Sequence, residues 1–94
     1  VIGVVATNAR LDVAGANNIA AAAHDGLARV VRPSHTLYDG DTIFTLATGK
    51  TRAHPVLVGD MAAEVTARAI LNAVRAAEDA AGLPAARSLK DGSY

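Results

Sequence analysis

Cysteine and tryptophan are absent from this chain, and Phe and Met occur once each. Without cysteine there is no disulfide framework, no thiolate ligand for zinc and no Cys nucleophile, which fits a reducing, cytoplasmic setting without demanding one. Charge of either sign is also missing as an excess: 9 basic and 9 acidic residues cancel, and no basic run stands out. The electrostatic footprint of a nucleic-acid binder is therefore lacking. No apolar stretch approaches the roughly 20 residues of a membrane span, and no basic-then-apolar signal segment is present. The expected partners thus include neither nucleic acid nor membrane.

Large apolar side chains are scarce as well. The chain is 51% hydrophobic, but 22 of its 94 residues are Ala, and Val, Ile, Leu, Met and Phe together number 24. A chain of this size buries only about 60% of the surface its unfolded form exposes. Many small faces and few large fillers suit close docking against something bigger, so a subunit is expected rather than a free-standing domain.

The order along the chain reads β-α-β-α. Val1 to Thr7 is apolar on both faces, as an interior strand would be. "NARLD" turns the chain, and Asp12 is an N-cap for a helix reaching about Val31, ended by Arg32 and Pro33. Val13, Ala16, Ala20, Ala23, Leu27 and Val30 or Val31 recur at helical spacing as its buried stripe. Gly15 and Gly26 weaken that helix and mark a close approach of another backbone. "SHTLYDGD" is irregular, "TIFTLAT" is the second strand, and "GKTRAHP" is a loop. A second helix from about Val58 to Ala81 carries Met61, Val65, Ala69, Ala73 and Ala76 on one side, widened by Ile70, Val74 and Ala77. Gly82 and Pro84 stop it, so residues 1–82 form one folded portion and 83–94 a loose tail. Two strands are too few for a stable sheet.

Three stretches invite chemistry. "FTLATGKT" looks like the end of a phosphate-binding P-loop, yet that motif needs a glycine where Phe44 stands and a helix opening at Lys50, which "RAHP" cannot start. Lys50 and Arg52 are then solvated loop charges. "YDGDTI" resembles the Asp-x-Asp of haloacid-dehalogenase-type phosphatases, but those aspartates follow a buried strand and these precede one. A magnesium site on Asp39 and Asp41 lacks a third carboxylate nearby, so no metal and no cofactor is expected. Two carboxylates at i, i+2 in extended chain do point to the same side, about 6.5 to 7 Å apart, and ask for a positive partner. A turn whose aspartates cap backbone N–H groups explains the pair equally well.

The third stretch is the beginning. "VIGVVAT" starts in full extended character, with no Met and no polar lead-in, and the expectation is a cut end. An N-terminal amine has an ordinary pKa near 7.7 to 8.0, and on a Ser or Thr it can activate that residue's own hydroxyl. Here such a residue would stand immediately before Val1. The carboxylates of Asp39 and Asp41 would hold the ammonium and orient the hydroxyl.

"VIGVVATNARL", "AHDGLARVVRPSHTLYDGDTIFTLATG" and the Ala-rich last helix resemble the small, carboxy-terminal β-subunit of the DmpA-type family of N-terminal-nucleophile hydrolases. That family includes L-aminopeptidase D-amidase/D-esterases, β-aminopeptidases and nylon-oligomer hydrolases. The resemblance runs from Val1 to about Ala81, and "RPSHTLYDGDTIF" is its most specific part. It implies a four-layer αββα sandwich, completed by a larger α-subunit cut from the same precursor, and assemblies of several α/β pairs. It implies a nucleophilic Thr or Ser directly before Val1, and catalytic roles for Asp39 and Asp41. An Asn and a Lys completing the site would belong to the large chain. Aminopeptidase relatives carry a hydroxyl and a Glu in place of the two aspartates, so the Asp pair points towards the nylon-hydrolase-like branch.

Around that site, Val1, His35 and Tyr38 are expected to bind substrate or support the catalytic groups, His35 as a donor four residues from Asp39. His24 is expected at the helix surface or a subunit contact, His54 in solvent, and Asn8 in a turn. The expected activity is hydrolysis of a small amide or peptide substrate through an acyl-enzyme. An acyltransferase of ornithine-acetyltransferase type is the nearest alternative. A non-catalytic interaction subunit, with the aspartates as caps, is the alternative from another class.

Overall fold

The computed structural model describes residues 1–89. Strand β1 (Ile2–Ala9), helix α1 (Val13–Val30), strand β2 (Thr42–Thr51) and helix α2 (Pro55–Ala76) follow in the expected β-α-β-α order, and a 3₁₀ turn spans Ala86–Ser88. The strands form a two-stranded parallel sheet, with Ile2 opposite Thr42 and Thr7 opposite Ala47. A parallel pair requires a crossover, and α1 supplies it.

Helix α1 begins where Asp12 accepts the Gly15 N–H at 2.6 Å, and it ends at Val31, which is extended ahead of Arg32 and Pro33. Helix α2 starts three residues earlier than expected. Pro55 stands in its first turn, where a missing N–H costs nothing, and His54 caps it by accepting the Val56 N–H on Nδ1 at 3.2 Å. His54, exposed as expected, is also a cap. The helix also stops at Ala76, five residues short of expectation, with Ala77 already extended. Arg87 reaches back to the Arg75 and Ala76 carbonyls at 3.2 and 2.9 Å, satisfying acceptors that the helix end leaves open.

Residues 83–89, where a loose tail is expected, are tied to the segment before them by a turn and hydrogen bonds. Ala80 and Leu83 bridge, and Asp79 accepts from the Ala85 N–H and the Ser88 hydroxyl, both at 2.6 Å. Residues 90–94 of that expected tail lie outside the described residues.

Strand β2 runs on through Gly49, Lys50 and Thr51, which the sequence reading assigns to a loop. The register jumps between Thr7 and Ala9, because Ala9 pairs with Thr51, two residues later than the earlier pairs would place it. Gly49 takes a φ of 76° there, a conformation open to glycine, and so absorbs the extra length. Asn8 lies in β1 beside this irregularity and forms no turn. Because Gly49, Lys50 and Thr51 are strand residues with no helix opening at the lysine, no phosphate cradle is built from them.

The inner face of the sheet packs on the helices. Ile19, Ala23, Ile43 and Ala62 form the buried centre, with Val5, Leu11, Ala20 and Val58 against it. Leu27 is the largest side chain to be fully buried. The stripe read from the sequence is right at Ala23 and Leu27 and wrong at Val13, which is exposed while Ile19 is buried. On α2 the bulky side marked by Met61 and Val65 is exposed, and Gly59, Ala62 and Ala63 are the buried residues. Size is the reason. A Cβ built on Gly26 would sit 2.0 Å from the Ala63 carbonyl oxygen, so α1 and α2 approach along small residues and the bulky face of α2 turns away. Gly15 plays no such part, since its neighbours are the Asp12 cap and Leu11.

The outer face of the sheet is uncovered in this chain. Ile2, Val4, Phe44 and Leu46 are exposed, Ile2 to 81%. No helix among the described residues is long and apolar enough to cross a membrane.

Replacing Gly26 by Ala should lower stability by about 1–3 kcal/mol, because the added methyl meets backbone that cannot swing aside. Gly59→Ala meets only Ala22 Cβ at 3.4 Å and Ile19 Cδ1 at 3.7 Å, and should be neutral or slightly stabilising. Denaturant midpoints of the two variants side by side check this; equal midpoints would refute the close approach.

Candidate active site

The segment between α1 and β2 is short and polar, and its geometry is set by where it must return. Val31 is extended, and His35 adopts a φ of 56°, a left-handed conformation that turns the chain sharply and is uncommon for a residue with a side chain. The Asp39 N–H then closes a turn on the Thr36 carbonyl at 3.4 Å, and the Thr42 N–H donates to the Val1 carbonyl at 2.9 Å, opening the ladder with β1. Residues 35–41 are thereby folded over the first residue of β1.

At that point several groups converge. The Val1 backbone nitrogen donates to Asp41 Oδ1 at 2.9 Å and to the Gly40 carbonyl at 3.2 Å. Asp41 Oδ2 accepts from the His35 backbone N–H at 3.1 Å and lies 2.9 Å from His35 Nδ1. The Asp41 side chain is only 5% exposed, whereas Val1 and His35 are nearly half exposed. The His24 ring packs beside His35 with centroids 5.0 Å apart, and the buried His24 Nδ1 has no hydrogen-bond partner among the described residues.

The electrostatics follow from these contacts. The hydrogen bond from the Val1 nitrogen, assisted by the His35 backbone N–H, holds the Asp41 carboxyl below its ordinary range. The fields of Asp41 and, more weakly, Asp39 both favour positive charge at the position of that nitrogen. Asp39 thus reaches the nitrogen through its field, with no hydrogen bond to it among the described residues.

Of the residues singled out by sequence, Val1, His35 and Asp41 are in direct contact, and Asp39 stands beside them. Tyr38 is 99% exposed at the apex of the turn, as is Leu37, and Tyr38 has no hydrogen bond to the others among the described residues. His24 is the participant that sequence reasoning missed. Expected at the surface beside Asp25 and Arg29, it is half-buried. One signal was available: His24 lies three residues before Leu27 and so shares the buried face of α1. Among the described residues no group of three or more His, Asp or Glu side chains could hold a metal ion. The arrangement can grip a nitrogen between a carboxylate and a carbonyl, and stabilise positive charge on it.

The sequence model of peptidase family S58 matches residues 1–87. Uncharacterized aminopeptidases of Mycobacterium bovis and Mycobacterium tuberculosis are each 43% identical to this chain over 99% of its length, and one of Mycobacterium leprae is 45% identical over the same share. The chain spans 31% of the first two relatives and 30% of the third.

The direction of the Asp41 shift fixes a pH dependence. A carboxyl depressed in the folded state stabilises fully above its unfolded value of 3.8 and loses that contribution as pH falls through the lower folded value. Stability should therefore fall as pH drops through the acid range. Asp41→Asn should lessen that fall, leaving the part due to Asp79, whose carboxyl is depressed by the Ala85 N–H and the Ser88 hydroxyl. Melting temperatures across the pH range test this, and superimposable profiles for variant and parent would contradict the pairing.

Proposed function

The chain belongs to peptidase family S58, and on that premise we propose that it is the small chain of a self-processed N-terminal-nucleophile hydrolase. In this reading a Thr or Ser directly ahead of Val1 attacks a peptide or amide carbonyl, and Asp39 and Asp41 serve its amine. The observation that carries it is the 2.9 Å contact between the Val1 nitrogen and Asp41 at the first step of β1. Ile2 lies opposite Thr42, so a residue placed before Val1 continues the register to the level of Gly40. That level falls between the two aspartates, one strand step of about 3.3 Å further on.

The chemistry then runs as acyl transfer to water. The hydroxyl oxygen bonds to the carbonyl carbon while its proton passes to the residue's own amine. The ammonium so formed is stabilised by the adjacent carboxylates, whose fields favour positive charge on a nitrogen at this place. The proton passes to the departing amine as the carbon–nitrogen bond breaks, leaving an ester. Water then attacks the ester, the amine again taking and returning the proton, and the acid is released. The relatives named as aminopeptidases support a peptide substrate with a free amino end.

The rest of the protein has a defined place in this proposal. The chain spans about a third of its relatives, and its sheet exposes Ile2, Val4, Phe44 and Leu46 on the side away from the helices. A larger α-subunit from the same precursor would supply the strands and layers that turn two strands into an αββα sandwich. It would also complete the substrate pocket, and several such α/β pairs would assemble.

Mutating the residue ahead of Val1 to Ala in the full-length protein should leave the precursor uncut by intact mass and abolish amide hydrolysis. Asp39→Asn and Asp41→Asn should each lower kcat by about 100-fold or more, as for loss of groups that act in proton transfer and charge stabilisation. Full cleavage and full activity in both aspartate variants would instead identify a non-catalytic interaction subunit.

A further inference from the structure

His35 makes two contacts with one atom. Its backbone N–H lies 3.1 Å and its ring Nδ1 2.9 Å from Asp41 Oδ2, while Asp41 Oδ1 faces the Val1 nitrogen at 2.9 Å. The backbone N–H is the hydrogen-bond donor to Oδ2, and the ring nitrogen makes a close contact with the same oxygen, an ion pair when the ring is protonated. The double contact depends on the left-handed φ of 56° at His35, which folds the ring and the backbone nitrogen to the same side. The His24 ring stands behind, 5.0 Å away and tilted by 51°, and limits the planes that the His35 ring can adopt.

We propose that His35 is a positioning residue of this site: with its backbone N–H bonded to Oδ2 of Asp41 and its ring nitrogen against the same oxygen, it fixes the carboxylate so that Oδ1 faces the backbone just ahead of β1. A carboxylate on a single flexible torsion would otherwise divide its time among orientations, and the functional site needs one. The groups that face Asp41 are then the Val1 nitrogen, the Asp39 charge and His35, with His24 behind the last. The inference rests on the functional reading above, because positioning matters only if Asp41 serves the nucleophile's amine.

The test uses the full-length protein and two substitutions that both tolerate a left-handed backbone, His35→Gly and His35→Asn. Gly keeps the backbone donor and removes the ring; Asn restores an N–H donor at about the distance of Nδ1. The readouts are the rate of precursor cleavage by mass and the turnover of aminoacyl p-nitroanilides. His35→Gly should lower kcat roughly tenfold to a hundredfold, with KM within about twofold, as expected for losing one charge-assisted hydrogen bond. His35→Asn should recover most of that loss. The acid limb of kcat/KM should move to higher pH in His35→Gly and not in His35→Asn, since a carboxylate with fewer donors is easier to protonate. Equal impairment of the two variants would assign His35 a purely structural role and overturn the proposal. Full activity of His35→Gly alongside an inert Asp41→Asn would overturn it while leaving the functional reading intact. A fully cleaved, fully active Asp41→Asn would remove the functional reading itself.

Discussion

One carboxylate joins the parts of this chain that matter most. Asp41 is nearly inaccessible at its side chain, yet it meets the first nitrogen of β1 with one oxygen and His35 with the other. Burying an ionised group is costly unless its acceptors are satisfied, and here donors from both ends of the chain's first half satisfy them. The loop from 35 to 41, the start of β1 and, through the His24 ring, the last turns of α1 are therefore held in a single arrangement. Loosening any one of them exposes Asp41 or leaves it without a donor.

That arrangement rests on a scaffold with little bulk. Gly26 against Ala63 brings the helices close enough for Ile19, Ala23, Ile43 and Ala62 to close a centre. The same choice turns Met61, Val65 and the outer sheet residues away from it. Ala and Gly supply proximity rather than buried area, so precise backbone approach takes the place of a large core.

Much of this was legible in the sequence. Asp12 as a cap, Pro33 as a stop and the alternation of "TIFTLAT" are local signals, and local signals placed α1 and both strands. The irregular "SHTLYDGD" was recognised as a loop bearing the candidate site, and Asp41, His35 and Val1 meet in it. What failed was non-local. Spacing groups the bulky residues of α2 on one side without telling that this side faces outward, because nothing in spacing reveals that Gly26 would draw the small face inward. The end of α2 was misjudged since Ala77 to Ala81 have good helix propensity, and the contacts of Asp79 and Arg87 that hold the alternative are with residues further along. His24 was missed for the same reason: its neighbour His35 is brought to it by a left-handed turn that the sequence does not announce.

The outer sheet face separates two kinds of failure that mutation usually mixes. Ile2, Val4, Phe44 and Leu46 have the composition of an interior and the accessibility of a surface, so truncating them removes little packing from among the described residues. In the proposed assembly, substitution at these four positions would disrupt chiefly the joining to the larger chain. They would then report on assembly, whereas Leu27 and Ile19 report on folding.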